Sequence, residues 1–549
     1  MKIALARPRI PTHSIGLHNM MICDPLELEA VAAGIPKKHE VLIYDGILDE
    51  PENFDRMLRE FDPDVVGFTT YINGVNGIGR MMDKVKANRK DALIAVGGVH
   101  VTRNGDDMAR TKADVVIQGE GVFTFAKMLE AFEDSGLRNL KAVQGVRVRE
   151  DDGFSKTTTP PYPHPDQIPF ACRELTRRFW PQYYYIYHNP CHLMKTAWGC
   201  PYTCSFCYCW QATEGHYAFR SPEAFVAELE QMWSPNVYIV DDDFFLHPSR
   251  MMKIHDLIVK KGLKKQFFCY GRSDFIAKHP DIIKAWSKIG LQAVVVGVES
   301  YSDSELEYFN KESTAAVNVE AFKVLREANV DPYASFILNP NWGMADFKKI
   351  QKYIYDNKLY YVILQPLMPL PGTAIWDEWK DVVIIDRDHH EIWDISHLAL
   401  PSRLPMKTYF REMVKLYIRT CLNLIRLPNV TLRTLPPIYS PRVVEIPHVL
   451  FGGLRVLSQL WNAHRRYRPD ELARYERGSG LLFHNREAKD NPDTEGLTDY
   501  RLVQKRIELA EAAGGVAPSI ETMKAQPLVN ITPAPARPLA SPDAVASNK

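Results

Sequence analysis

Four of the nine cysteines in the chain, Cys200, Cys204, Cys207 and Cys209, fall within ten residues. In Trp198-Gly199-Cys200-Pro201-Tyr202-Thr203-Cys204-Ser205-Phe206-Cys207 the first three form a C-x3-C-x2-C array. Three thiolates on one short loop can hold three irons of a four-iron cluster, whose usual protein ligation is four cysteines, so one iron would be left open. An open position is what separates a reactive metal site from a structural one, as it does for zinc. The competing reading is a zinc site with Cys209 or His216 as fourth ligand. Zinc motifs normally pair two short elements, and no distant partner element is evident, so the cluster is preferred and Cys209 is assigned to packing. The other five cysteines, Cys23, Cys172, Cys191, Cys269 and Cys421, are scattered and read as small buried apolar residues.

Such a loop needs a frame. The array comes directly after the first of a series of candidate strands: from Cys191 onward, strands near Leu193–Ala197, Val237–Val240, Gln266–Tyr270, Ala293–Gly297, Tyr333–Leu338 and Val362–Gln365 alternate with helix-length segments. Six βα repeats are too few for the closed eight-stranded barrel and suit a partial (β/α)6 TIM-like one, with chemistry at the strand ends. Residues 1–150 show a similar alternation, with strands at Lys2–Ala6, Glu40–Tyr44, Asp64–Thr69, Ala92–Val96 and Asp114–Ile117. That pattern predicts an α/β, doubly wound, Rossmann-like unit with its ligand at the carboxyl ends of a parallel sheet. The loops to watch there are Arg7–His13, Thr69–Asn73, Gly97–Thr102 and Gln118–Gly121. Thr159-Pro160-Pro161-Tyr162-Pro163-His164-Pro165 cannot sustain helix or central strand and marks a linker over 151–189, with the barrel over 190–386.

Beyond about Arg387 the pattern turns mostly helical, giving a C-terminal helical domain over 387–513 and a disordered tail over 514–549 rich in Ala, Pro and Ser. Met406, Phe410, Met413, Tyr417 and Leu424 share one face, while Lys407, Arg411, Lys415 and Arg419 recur on another. The basic run continues through Arg426, Arg433, Arg442, Arg455, Arg465, Arg466 and Arg468. A solvated face is favoured over contact with an anionic membrane surface, which is kept as the second reading. With 549 residues, a single module is excluded. Lys plus Arg, 67, equals Asp plus Glu, 67, which argues against a nucleic-acid partner. No apolar run approaches the roughly 18 residues of a membrane span and the start does not resemble a secretory signal, so the expected location is cytoplasmic.

The cysteine loop, with Phe206 just before its third cysteine, resembles the radical S-adenosylmethionine (SAM) superfamily. The resemblance implies a [4Fe-4S] cluster on Cys200, Cys204 and Cys207, with SAM on its open iron cleaved to a 5′-deoxyadenosyl radical. It also implies an electron donor of the reduced flavodoxin or ferredoxin type. Later strand ends supply positions similar to that family's SAM contacts. Among Asp241-Asp242-Asp243, Asp242 is placed beside the SAM ammonium, and Arg272 suits a carboxylate. Glu299, in Val296-Gly297-Val298-Glu299-Ser300, would bond the ribose hydroxyls, and Gly372, in Gln365-Pro366-Leu367-Met368-Pro369-Leu370-Pro371-Gly372-Thr373, lies in a turn that would line the adenine.

The segments Asp64–Thr69, Ala95–His100 and Asp114–Gly121 resemble the cobalamin-binding domain that precedes many such barrels. This places Thr69, Gly97, Gly98, His100, Gly119 and Glu120 at the corrin. The D-x-H-x-x-G motif, whose histidine replaces the lower base of cobalamin, is absent, and His100 does not sit in that pattern. Trp393–Pro405 with Tyr409–Glu412 looks similar to the tail of hopanoid C-3 methylase relatives and, more distantly, of the anaerobic magnesium-protoporphyrin ester cyclase. The expected function is radical C-methylation of an unactivated carbon in a bulky apolar small molecule, a lipid, hopanoid or tetrapyrrole. The alternatives are a cyclase or oxidative rearrangement without methyl transfer and, outside enzymes, an iron–sulfur and cobalamin sensor.

Overall fold

A computed structural model describes residues 1–425 and 445–483. The tail from 514, and Arg426, Arg433 and Arg442 of the basic run, lie outside the described residues. Residues 1–479 form one compact unit built on two large sheets.

The N-terminal sheet runs in the order Glu40–Asp45, Lys2–Arg7, Val65–Thr69, Leu93–Gly97, Val115–Ile117, all parallel, and continues as Val146–Glu150 and Gly153–Phe154, both antiparallel. Its strands are apolar on both faces because helices cover both. Alternate residues divide cleanly. Ala4, Val66, Phe68, Ile94 and Val96 pack on Phe54, Met57, Ile78 and Met82, while Ile3, Leu5, Val65, Leu93 and Ala95 pack on Leu28, Phe125, Met128 and Leu129. The strand order reverses between Lys2–Arg7 and Val65–Thr69, which opens a crevice at their carboxyl ends.

The second sheet holds six parallel strands in sequence order, Cys191–Met194, Asn236–Ile239, Gln266–Gly271, Leu291–Glu299, Asp331–Leu338 and Tyr361–Pro366, an open partial barrel. Outward-facing residues such as Val237, Ile239, Phe267, Val294 and Val296 join the helical layer in one core, and that core runs on into Tyr409, Phe410 and Met413 of the helix Met406–Ile425. The inner faces meet in an aromatic cluster of Tyr185, Tyr238, Phe268 and Tyr333.

The first barrel strand ends at Met194, three residues short of the span expected from sequence. The cause is Asp241. Its buried carboxylate accepts from the backbone N–H of Thr196 and Ala197 and from the Thr196 hydroxyl, which diverts this backbone from the ladder. Ala197–Trp198 pairs instead with Ala218–Phe219, and this small antiparallel pair brackets the cysteine loop. The segment over 155–164 has neither helix nor strand, yet Tyr162 donates to Ala212 O and stacks on His216.

Candidate functional site

The cysteine loop leaves the barrel through Gly199, whose φ is +78°. A Cβ there would lie 1.9 Å from His216 O, so the two arms of the loop cross at a contact only glycine permits. The loop is then clamped from both sides. Ser205 N donates to Phe309 O at 3.0 Å, Ile375 N donates to Ser205 O at 3.1 Å, the Trp210 indole donates to Cys204 O, and Phe206 meets Phe309 edge-on. Cys204 is buried, and Cys200 and Cys207 are half-buried; all three are free thiols. Burial pushes the Cys200 thiol up to about 12. Burial also raises Cys204, against the opposing charges of Lys311 and Arg272. The Cys209 thiol bonds toward Cys207, which holds Cys207 down and Cys209 well up.

No three His, Cys, Asp or Glu side chains among the described residues gather so as to hold one metal ion, and His216 is exposed on Tyr162. A cluster asks for a different arrangement, one thiol per iron spread over a loop. The surroundings fit that demand, because two buried cations, Arg272 and Lys311, face Cys204 and oppose the negative charge that cluster thiolates bring. The neighbouring acceptor also fits. Asp243 is 2% exposed and no side-chain donor reaches its carboxylate, only the backbone N–H of Arg272, so acceptor capacity is left over beside the loop. Burial pushes its carboxyl up to about 7 against the pull of Arg272 and Lys311.

The structure thus separates the three aspartates that sequence takes together. Asp241 holds the backbone, Asp243 lacks a side-chain partner, and Asp242 is half-buried beside Cys209 and Lys195. Glu299, with φ at +61°, is buried, and its Oε1 accepts from Lys311 Nζ at 2.8 Å. Burial opposes the Lys311 charge, but Glu299 and Cys204 hold its pKa above the ordinary lysine value. Gly297 makes this pair possible, since a Cβ there would come within 2.5 Å of Glu299 Oε1 and 2.8 Å of Lys311 Nζ. Lys311 and Asp243 are functional candidates that sequence reading misses. Lys311 sits in a loop with no motif, and only its pairing with Glu299 marks it.

At the N-terminal ligand edge, Thr69 pairs with Gly97 in the ladder. Gly98, at φ +103°, brings backbone against Thr69 and Thr70. Gly119 has φ +79°, and Glu120 caps the helix Gly121–Ser135 by accepting from Val122 N at 3.1 Å. His100, on the helix Val99–Asn104, is buried. Its Nε2 is taken by Asp107 at 2.8 Å, inside a cluster with Arg387 and His390. Burial lowers the His100 pKa despite Asp107. Although burial opposes it too, Asp107 is held well below the usual carboxylate range by His100, His390 and Arg387.

The two ligand edges touch. Tyr208, the residue after Cys207, donates to Val99 O at 2.9 Å, and Asn104 Nδ2 donates to Pro371 O at 3.0 Å. Gly372, at φ +93°, lies where a Cβ would meet Arg103, Tyr208 and Asn104. The turn at Gly372 and the helix Val99–Asn104 therefore share one seam. The segment Trp393–Pro405 is mostly buried, with Ile395 and Pro405 exposed: Asp394 accepts from Ile15 N at 2.6 Å and from the buried His397 ring.

Comparison with known proteins agrees with this geometry. Residues 15–129 match the B12 binding domain family and residues 194–354 the radical SAM superfamily. The chain is a radical SAM enzyme with an N-terminal B12-binding domain, and its cofactors are accordingly a [4Fe-4S] cluster, SAM and cobalamin. Among relatives, it is 28% identical over 399 residues to hopanoid C-3 methylase of Methylococcus capsulatus, covering 71% of this chain and 75% of that one. It is 24% identical over 360 residues to the anaerobic magnesium-protoporphyrin IX monomethyl ester cyclase of Cereibacter sphaeroides, covering 63% and 56%. The fold is similar to the cobalamin-dependent SAM radical enzyme OxsB (TM-score 0.62, 13% identity, 95% and 82% covered). It is also similar to the radical SAM methyltransferase TsrM of Kitasatospora setae (TM-score 0.56, 15% identity, 68% and 76% covered).

Proposed function

We propose that the protein is a C-methyltransferase that acts on an unactivated carbon of a bulky apolar molecule, of the lipid, hopanoid or tetrapyrrole class. Together the bound cofactors supply a hydrogen-abstracting radical and a transferable methyl group. The observation that carries the reading is the seam at Tyr208, where the cysteine loop and the B12-domain ligand edge are joined by a direct hydrogen bond. Both reacting centres then open on one shared space, as a substrate handed from one to the other requires.

Cys200, Cys204 and Cys207 would hold the cluster, with Glu299 and Asp243 as acceptors for SAM, while Thr69, Gly97 and Gly98 leave room for the corrin. The walls of the space suit an apolar ligand. Tyr71, 65% exposed, follows the strand Val65–Thr69, and Tyr270, 39% exposed, lies near the end of the strand Gln266–Gly271. Their rings would order a flat or polycyclic substrate and keep water from the reacting carbon.

The likeness to hopanoid C-3 methylase favours methyl transfer, and the likeness to the cyclase favours the rival. Reconstituted, reduced protein incubated anaerobically with methyl-labelled SAM and a candidate apolar substrate separates them. Label in the product is expected; deoxyadenosine without label would replace this reading with cyclisation or oxidative rearrangement. A reduced flavodoxin or ferredoxin is the proposed electron donor.

A peripheral membrane contact belongs to the same proposal. The helix Glu445–Asn462 exposes Leu450, Phe451, Leu454 and Trp461, beside the basic row Lys407, Arg411, Lys415 and Arg419. No helix among the described residues is long and apolar enough to cross a membrane. Co-sedimentation with anionic liposomes that weakens at high salt is the expected result.

A further inference from the structure

Arg272 sits at the end of the third barrel strand, where sequence suggests a partner for a ligand carboxylate. Its surroundings leave little room for that role. Nε donates to Asp274 Oδ1 at 3.0 Å, and Nη2 donates to Lys311 O at 2.6 Å and to Asp274 Oδ2 at 3.3 Å. The guanidinium lies over the Tyr202 ring, 3.5 Å from its centroid, and the residue is 6% exposed. One edge of the fork and one of its faces are thus occupied by protein. The free nitrogen, Nη1, points at Cys204 Sγ from 4.0 Å, at the long limit of an N–H···S contact. A bidentate grip on a carboxylate needs two parallel donors, which Arg272 no longer has to offer.

We propose that Arg272 is a tuning residue for the iron–sulfur cluster, holding a fixed positive charge against the Cys204 ligand so that the cluster accepts its electron at a higher potential. The physical reason is charge. A one-electron reduction adds negative charge to the cluster and its thiolates, and donors or cations directed at the sulfurs favour the reduced state. The effect is strong here because Arg272 and Cys204 are both buried, where screening by water is weak. The contacts of Arg272 with Asp274, the backbone carbonyls of Lys311 and Glu312 and the Tyr202 ring keep the charge from swinging away. The inference rests on the cluster assignment and is independent of what the radical goes on to do, so its failure would leave methyl transfer standing.

The test is the midpoint potential of the reconstituted cluster in the full-length protein, followed by electron paramagnetic resonance during anaerobic titration with a chemical reductant and mediators. Arg272→Gln is expected to change the reduced-to-oxidised ratio at a fixed poise at least tenfold towards oxidised, a fall of about 59 mV. Arg272→Lys, which keeps the charge, is expected to stay closer to the wild type. Asp274→Asn removes the counter-charge while leaving the guanidinium in place, so it is expected to shift the potential upward. This opposite sign decides the matter even where Arg272→Gln fails to load four irons. Potentials unchanged in both Arg272→Gln and Asp274→Asn would overturn the proposal. So would an unchanged potential with a tenfold weaker SAM affinity in Arg272→Gln, which would return Arg272 to the carboxylate.

Discussion

The two ligand edges solve their tasks by opposite means. Around the cysteine loop the work is done by buried charge: Arg272, Lys311 and Glu299 lie near Cys204 and Asp243 near Cys200. Around the crevice of the first sheet it is done by missing side chains, since Gly98 lets backbone approach, while the two ionisable candidates there bond to protein, His100 to Asp107 and Glu120 to the N-terminus of its own helix. A small, highly charged cofactor needs electrostatic compensation, whereas a large flat one needs clearance and a shelf. Substitutions should therefore fail differently at the two edges, by charge at one and by volume at the other.

The sharpest break is the Cys200→Ala, Cys204→Ala, Cys207→Ala triple variant. It is expected to lose the visible iron–sulfur absorption and all SAM cleavage while retaining extractable corrin; loss of both cofactors would show that the edges do not act independently. Next comes Gly98→Ala. Its new Cβ would approach Thr69 Oγ1 to 2.8 Å at a backbone φ of +103°. The strain, about 1–3 kcal/mol, is expected to weaken corrin binding at least tenfold with the iron content unchanged. Gly297→Ala is the converse at the charged edge. It would push Glu299 and Lys311 apart, costing on the order of 1–3 kcal/mol of overpacking, and is expected to weaken SAM binding measured calorimetrically but not corrin retention.

The smallest effect expected is on pH dependence. In the folded protein His100 titrates below its ordinary value, because of burial, and Asp107 titrates below the usual carboxylate range. Both lowered values favour the folded state at neutral pH. The His100 contribution is complete above about pH 6.5 and is lost as pH falls through its lowered pKa; that of Asp107 is lost only in stronger acid. Melting temperature is expected to drop by about one or two degrees more between pH 7.5 and 5.5 in the wild type than in His100→Asn. Equal drops would show that the cluster with Arg387 and His390 does not couple to the proton.

Much of the architecture is legible in the chain because strands buried on two faces read as plain β-branched runs. Ten of the eleven parallel strands match the expected spans to within about two residues; the first barrel strand does not. It fails for a long-range reason, the Asp241 carboxylate arriving from 45 residues away to take the Thr196 backbone. The antiparallel edge pair Val146–Glu150 and Gly153–Phe154 is also missed, although its V-R-V-R alternation is the mark of a strand with one face on the core. At the site, Cys200, Cys204, Cys207, Glu299 and Gly98 stand in local motifs and are visible. Lys311, Asp243 as distinct from Asp242, and Tyr208 as a seam residue are not, because each is defined by a partner far along the chain.

Local order alone settled the thiol spacing, the strand–helix alternation and the glycines at the turns, since each depends on neighbours a few residues apart. Folding in three dimensions decided which carboxylate lacks a side-chain partner, which cation faces Cys204, and that the cysteine loop meets the ligand edge of the first sheet at Tyr208. Those outcomes depend on burial and on pairings between distant segments, and both exist only once the two sheets have packed together.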